Sequence, residues 1–370
     1  ASKLKTKMCA LTKNPLFNPN SHPQVSAAIY DGSAMPRRFN KKTGKPQVNE
    51  LSLLEQPNAL GSLVVRYRKV TKAMNTYLKH FRNVDVNGRL HANFNQGAAR
   101  TGRFSSSEPN LQNVPRPEES YLGELRSCIV ASPDCRLLFI DYSQIEMRLA
   151  AHFSQEESML AAYAAGADLH GITCTKMFEL HEGDPEWETY RYLAKKLNFS
   201  IIYGVGWNKF MDSVLLETEG KVRITPQQSM SYVNTYKAKH PRIMGLFDTA
   251  TTEVSTTRGV TNFYGRYMPV DPLTAYVGVN YRIQGTAADF IKLKMFYVAE
   301  LLKGKRTKLL MQIHDELVFD LHVSEKWLIP ILVELMEDHT TFSVPLTCSV
   351  AHGKNWKDKK KAKSPQPHVG

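Results

Sequence analysis

Three places in the chain gather side chains able to do chemistry. Asp141 ends the apolar run Leu137-Leu138-Phe139-Ile140, and a carboxylate beside such a run is costly to bury unless a cation neutralises it. Asp315 and Glu316 form an acidic pair after a second apolar stretch, Leu309–Ile313. Brought together on one sheet, Asp141 and Asp315 would repel each other and favour binding of divalent cations. Oxygen ligands without a Cys/His cluster, with positions open to substrate phosphates, point to magnesium. Taken singly, each acid also reads as an ordinary cap or turn residue. The third place is the stretch 188–204, where Arg191, Lys195, Phe199 and Tyr203 recur every four residues. Each is rotated about 40° from the last, so all share one broad helical face. An amphipathic helix sets its cations opposite its aromatics; here they lie together. The mixture suits a nucleoside triphosphate, with cations for the phosphates and a ring for sugar and base. The plainer alternative buries Phe199 and Tyr203 while Arg191 and Lys195 snorkel outward.

These residues need elements to position them. Leu137–Ile140 predicts a buried strand ending at Asp141, and Leu309–Ile313 with Leu317–Asp320 predicts a hairpin across His314-Asp315-Glu316. A helical region runs from about Gln144 to Ala250, broken near Gly183–Pro185 and Glu219–Pro226. Residues 51–82 read as helical, with Leu60, Leu63, Val64 and Tyr67 on one face. Gly102, Pro109, Pro115 and Pro117 make residues 101–118 a polar loop. There is no internal repeat and no Gly-x-x-x-x-Gly-Lys-Ser/Thr loop, which argues against a P-loop ATPase.

Composition bounds the rest. With 370 residues, 42% hydrophobic and 10% aromatic, the chain is globular rather than disordered or fibrous. At ~150 residues per domain it has room for two to three lobes. No apolar stretch approaches the ~18–20 residues of a membrane span, so no membrane partner is expected. Met8–Leu11 is too short for a signal-peptide core. Five cysteines without a Cys-x-x-Cys pair argue against a disulfide scaffold or zinc site and fit an intracellular, reducing location. The net charge of +13 gathers at both ends: residues 1–50, including Arg37, and the stretch 354–363 with its six lysines. Such ends read either as solvated tails or as contacts to a polyanion.

Several segments resemble family A DNA polymerases, the bacterial DNA polymerase I type. Phe139-Ile140-Asp141-Tyr142-Ser143-Gln144-Ile145-Glu146-Met147-Arg148 resembles their motif A. Arg191-x-x-x-Lys195-x-x-x-Phe199-x-x-x-Tyr203-Gly204 resembles motif B, and Gln312-Ile313-His314-Asp315-Glu316 motif C. Thr101–Ser107 with Pro109–Asn113, and Gln284–Asp289, add two more stretches in the family's order. Weaker similarity reaches Phe17–Ser21 and Gly353–Trp356.

The resemblance implies an α+β right-hand fold with an antiparallel palm sheet, helical fingers and a partial helical thumb. Residues 1–100 would form the partial thumb and basic N-terminal segment. The palm would take 101–150 and 271–356, the fingers 151–270, and a basic tail 357–370. The implied activity is DNA-templated DNA synthesis by nucleotidyl transfer, with primer–template DNA and deoxynucleoside triphosphates as partners and two Mg²⁺ ions as cofactors. Asp141, Asp315 and the backbone carbonyl of Tyr142 would hold the metal, with Glu316 a supporting carboxylate. Arg191 and Lys195 would grip the phosphates, Lys195 also protonating the pyrophosphate, and His170 would add a phosphate contact. Phe199 would stack on the nucleotide and Tyr203 would pack where the template base enters. Gln144 belongs to the same nucleotide-binding set, and Glu146 with Tyr203 would crowd the sugar 2′ position against ribonucleotides. Arg103, Asn280, Gln284 and His314 would contact the primer–template near the growing end.

The chain departs from the family pattern in places. Ser200 stands where the family usually has Gly, and Asp271–Asn280 is shorter than usual. The residues ahead of the first motif are too few for both an exonuclease domain and a full thumb, so a polymerase region without proofreading is expected. A separate exonuclease or replication protein would then be a partner. The alternatives are reverse-transcriptase-like activity on RNA templates, a single-subunit RNA polymerase, or a non-catalytic DNA-binding subunit of a replication complex.

Overall fold

The computed structural model describes residues 1–31, 38–55, 59–82, 84–116 and 121–361. Arg37, Pro117 and the end of the lysine-rich tail lie outside the described residues.

The chain opens with helices α1 (Ser2–Leu11), α2 (His22–Tyr30), α3 (Glu50–Leu54) and α4 (Ala59–Ala73). A π-helical turn, Met74–Leu78, carries α4 into α5 (Lys79–Phe81). Strands β1 (Asn93–Asn95) and β2 (Ser105–Ser107) pair antiparallel, and β3 (Cys135–Tyr142) follows. Seven helices come next: α6 (Ile145–Ser154), α7 (Glu157–Ala164), α8 (Leu169–Phe178), α9 (Trp187–Ile202), α10 (Trp207–Glu217), α11 (Pro226–Lys239) and α12 (Pro241–Thr257). Strands β4 (Gly259–Thr261) and β5 (Tyr267–Pro269) lead into α13 (Val277–Leu301). The chain closes with β6 (Lys308–Ile313), β7 (Glu316–His322), α14 (Leu328–Met336), β8 (Cys348–Gly353) and β9 (Lys360–Lys361).

The residues fall into two compact units: Ala1–Leu90 with Trp207–Met230, and His91–Gly206 with Ser231–Gly370. The first unit is helical, packed around Met8, Phe17, Val25, Tyr30, Leu53 and Val64, with Leu216 of α10 against that core. Arg38 ties α10 in: its guanidinium donates to both carboxylate oxygens of Asp212, at 3.1 and 2.8 Å, and to Glu55 at 2.7 Å. The bidentate geometry makes this a stronger link than an ordinary surface pair.

The second unit is built on a five-stranded antiparallel sheet in the order β6-β7-β3-β8-β9. Its central strand is β3, where Leu137, Leu138, Phe139 and Ile140 are each 1% exposed or less. That continuous apolar run, rather than an alternating one, marks a strand covered on both faces. Each such side chain contributes about 1.5–3 kcal/mol by leaving water. α13 packs against α6, α12 and α14, and α9 against α6 and α8. The expected α+β class and the β6–β7 hairpin are both present.

Two local expectations change. Residues 101–118 are not a single loop, because Ser105–Ser107 pairs with Asn93–Asn95 in a short ribbon. Ser106 ties that ribbon to the segment after it: its hydroxyl is buried, donating to Pro109 O and accepting from Leu111 N. The run from Gln144 to Ala250 has further breaks, one at Gln155, whose backbone turns left-handed, and one at Tyr203-Gly204.

Candidate active site

Asp141 lies within β3, one residue before its end. The β3–β7 register sets Glu316 directly opposite it, and the β3–β8 register sets Ser349 on its other side. Asp315 sits in the two-residue turn between β6 and β7 and reaches β3 through its backbone, its carbonyl accepting from Tyr142 N at 3.2 Å. His314 makes the turn possible by adopting a left-handed φ of 58°. Glu316 is thus the first residue of β7 rather than part of the tip. The sheet therefore brings the two acidic segments together, as their spacing allowed.

The electrostatics follow from that placement. Burial, then the charges of Asp315 and Glu316, push the Asp141 carboxyl up to about 7, although Lys359 and Arg116 pull it back. Burial also raises Asp315, against the opposing charges of His314, Arg103 and Arg116. Two carboxyls that resist ionising side by side form a site whose ionised state a divalent cation would stabilise. Among the described residues no group of three or more His, Cys, Asp or Glu side chains forms a closed cage. The donor set is open, of the kind that takes remaining ligands from substrate and water.

Tyr142 is fixed from below, its hydroxyl donating to Met336 O at 2.7 Å and its ring meeting Phe290 edge-on at 5.6 Å. Gln144 turns the chain from β3 into α6 with a left-handed φ of 55°, and its Oε1 accepts from the Tyr163 hydroxyl at 3.2 Å. Arg148 clamps that turn, donating to Ser143 O at 2.7 Å and Pro345 O at 2.6 Å. Glu146, on the first turn of α6, pairs with the Arg103 guanidinium. Burial lowers the Arg103 pKa while Asp315 acts the other way. A cleft lined by Arg103, Phe104, Ile145, Gln312, His314 and Asp315 gathers two of the expected duplex contacts beside the acid pair. Its α13 wall is Ala287, Ala288 and Ile291. Gln284 and Asn280 continue the same stripe of α13, one and two turns earlier. The Asn280 Oδ1 is buried without a hydrogen-bond partner, a costly condition for a polar atom.

Helix α9 resolves the choice left open by its sequence. Leu193, Ala194, Leu197, Asn198, Ile201 and Ile202 form its buried side. Arg191, Phe199 and Tyr203 are half-buried and Lys195 is exposed, so cations and aromatics share the open face. The helix stops at Gly204, where φ is +66° and Val205 N donates back to Ser200 O at 2.9 Å. A Cβ on Gly204 would stand 2.9 Å from the Tyr276 ring, so this stop needs glycine.

Arg191 is oriented by Asp168, its Nε donating to Oδ2 at 2.7 Å. The same carboxylate caps α8, accepting from His170 N at 3.1 Å. Burial pushes Asp168 up, but Arg191 and the cap bond outweigh it and hold the carboxyl below its ordinary value. Asp168 correspondingly raises Arg191. His170 lies behind this pair at 4% exposure, its ring 5.9 Å from that of Phe199. Burial, with Lys195 and Arg191 adding to it against Asp168, pushes the imidazole down to about 4.

Two contributors escaped the sequence reading. Gln112 Nε2 donates to Gln312 Oε1 at 3.0 Å, which locks the Pro109–Asn113 stretch to the strand leading into Asp315. Lys359 was legible only as part of a lysine-rich tail. Its Nζ meets Glu316 Oε2 at 2.5 Å and lies 4.4 Å from the centre of the Phe139 ring. The nearby β8–β9 pairing carries it there, and no local pattern announces that.

Known proteins resemble this chain in sequence and in fold. Among curated proteins, thermostable DNA polymerase I of Thermus thermophilus is 32% identical over 360 residues, covering 92% of this chain and 42% of that protein. DNA polymerase I of Synechocystis sp. is 30% identical over 380 residues, covering 93% of this chain and 37% of that protein. The chain thus spans about two fifths of the length of these relatives. Among solved structures, the POL domain of Pol1 from M. smegmatis, in complex with DNA primer-template and dNTP, matches with a TM-score of 0.85 at 26% identity. That match covers 96% of this chain and 64% of the other. A sequence profile of DNA polymerase family A matches residues 1–358. With that profile over residues 1–358 and these relatives, the chain belongs to DNA polymerase family A.

Proposed function

We propose that this chain is a DNA-templated DNA polymerase, a nucleotidyltransferase that extends a primer 3′ end with deoxynucleotides and releases pyrophosphate. The observation that carries the reading is that one compact unit holds both the Asp141–Asp315 carboxyls and the open Arg191–Tyr203 face of α9, which packs against α6, the helix that follows β3. Asp141, Asp315 and the Tyr142 carbonyl are the proposed holders of two Mg²⁺ ions, and the raised pKa values of the acid pair fit that donor set. When bound, the metal lowers the pKa of the primer 3′-hydroxyl and neutralises charge on the triphosphate.

The remaining roles belong to the chain's own groups. Arg191, held ready by Asp168, and Lys195 bind the triphosphate, and the Lys195 ammonium is the proton donor to the departing pyrophosphate. Phe199 stacks on the nucleotide, Tyr203 packs at the entry of the template base, and Gln144 belongs to the same nucleotide-binding set. Glu146, steadied by Arg103, crowds the sugar 2′ position and excludes ribonucleotides. His314, Arg103, Asn280 and Gln284 read the minor-groove edge, where correct pairs look nearly alike, so they test pairing geometry rather than sequence. The action is placed inside the cell, where deoxynucleoside triphosphates are found; no described helix is long and apolar enough to cross a membrane.

Primer extension tests this reading, with deoxy- and ribonucleotides on DNA and RNA templates. Extension with deoxynucleotides on DNA supports it. Extension confined to RNA templates turns it to reverse transcription, and DNA binding without extension turns it to a non-catalytic subunit. A 3′-mismatched primer is expected to stay untrimmed by this chain alone.

A further inference from the structure

Beneath the open face of α9 a set of buried hydrogen bonds determines where one proton sits. The Thr173 hydroxyl on α8 donates to Leu169 O, one turn back, at 2.8 Å. Its single proton is then spent, so toward Asn198 of α9 it acts as an acceptor. Asn198 Nδ2 supplies that bond at 3.1 Å. The amide oxygen is 3.3 Å from the same hydroxyl, a longer contact than either of the other two. On its far side that oxygen accepts from the Tyr236 hydroxyl at 2.8 Å. Both ends of the amide are therefore assigned, oxygen to Tyr236 and nitrogen to Thr173.

The second Nδ2 proton is directed at His170 Nδ1, 3.0 Å away. A donor at that distance requires Nδ1 to carry no proton, and a neutral imidazole then bears its proton on Nε2. Asn198, His170 and Tyr236 are 1%, 4% and 0% exposed, so water does not compete for these bonds. Tyr236 is anchored in turn, its ring stacked on His240 at 4.1 Å. Burial and the nearby cations keep the His170 ring neutral at physiological pH.

We propose that Asn198 is a positioning residue that locks His170 as the Nε2–H tautomer, so that the neutral ring donates one hydrogen bond to a phosphate oxygen of the incoming nucleotide. Thr173 and Tyr236 fix the amide that does this. The inference rests on the assignment of His170 as a phosphate contact. It explains why an uncharged polar residue occupies the buried side of α9 beside Leu197 and Ile201. It also separates three phosphate-facing groups by kind: two permanent cations for charge and one neutral, directional donor. The other tautomer would present a lone pair to an anion.

Nitrogen-15 correlation spectra of the full chain labelled at histidine read the tautomer directly, with or without activity. The expected spectrum at neutral pH has a bare Nδ1 and a protonated Nε2 for His170. Asn198→Asp replaces the donor with an acceptor and should shift the proton of the neutral ring from Nε2 to Nδ1. With that change the KM for deoxynucleotides should rise ~10-fold, the scale of one hydrogen bond to a charged group, while kcat and duplex affinity move less than threefold. In a His170→Gln background the same substitution should cost less than twofold more. Tyr236→Phe, which frees the amide to flip, should give an intermediate rise and serves if the aspartate variant does not fold. A wild-type ring protonated at Nδ1 overturns the proposal. So does a folded Asn198→Asp chain with an inverted tautomer and unchanged KM. Failure of wild-type chain to extend primers would instead remove the polymerase reading and leave the tautomer result standing.

Discussion

Replacing Asp141 by Asn should stabilise the metal-free protein while abolishing synthesis. The substitution keeps the side chain's size and removes the charge that burial and the neighbouring carboxyls oppose. Raised from 3.8 to about 7, the Asp141 carboxyl holds its proton more tightly folded than unfolded. The folded state accordingly keeps its full stability below about pH 4 and loses it as pH rises through about 7. A displacement of about three pH units corresponds to a ceiling of about 4 kcal/mol above neutrality. For a unit of ~250 residues, at about 2 °C per kcal/mol, that is a gain in Tm of up to ~8 °C. Sharing of the repulsion between Asp141 and Asp315 lowers the figure, so a gain of about 4–8 °C is expected. The assay is thermal unfolding of wild type and Asp141→Asn in EDTA from pH 5 to pH 8. The gap should be widest at pH 8 and narrow as pH falls toward 4. Saturating Mg²⁺ should raise the wild-type Tm more than that of the variant. A variant that melts at or below wild type at pH 8 in EDTA would refute the reasoning, because the acid pair would then carry no strain for a cation to relieve.

Other substitutions probe the surrounding residues. Glu146→Ala should admit ribonucleotides, raising their kcat/KM relative to deoxynucleotides by at least ~10-fold; steady-state incorporation of each nucleotide checks it. Asp168→Ala should raise the deoxynucleotide KM severalfold and also cost about 1 kcal/mol in urea unfolding through the lost cap on α8. Asp168→Asn should raise KM similarly while keeping most of the stability. Phe139→Ala, in the middle of β3 at 1% exposure, should cost about 3–5 kcal/mol in the same unfolding measurement.

Much of the sheet was legible because its central strands are covered on both faces. Leu137–Ile140 in β3 and Leu317–Phe319 in β7 are apolar without alternation, and the acidic residues beside them mark where the chain must meet water or a cation. The face of α9 was legible from spacing alone, but spacing did not say which side is open. Burial of Leu193, Leu197 and Ile201 on the other side answers that. The β1–β2 ribbon was hidden because Asn93–Asn95 and Ser105–Ser107 are three residues each and mostly polar, and their partners lie ten or more residues apart in sequence. Lys359 and Gln112 were hidden for another reason. Each reaches the site through contacts distant in sequence, between Gln112 and Gln312 and between Lys359 and Glu316. Asn198 and Tyr236 read as helix residues with no periodic signal, since a buried polar network is defined by its partners rather than by its spacing.

Single-turnover incorporation of one nucleotide by Asp141→Asn, Asp315→Asn and the double variant tests most directly whether the two carboxyls act as one catalytic unit. Each single variant is expected to lose at least ~10³-fold in rate, and the double variant no more than about tenfold beyond that, with duplex affinity within threefold of wild type. A single variant that keeps a rate within tenfold of wild type, or losses that multiply in the double variant, would contradict the account.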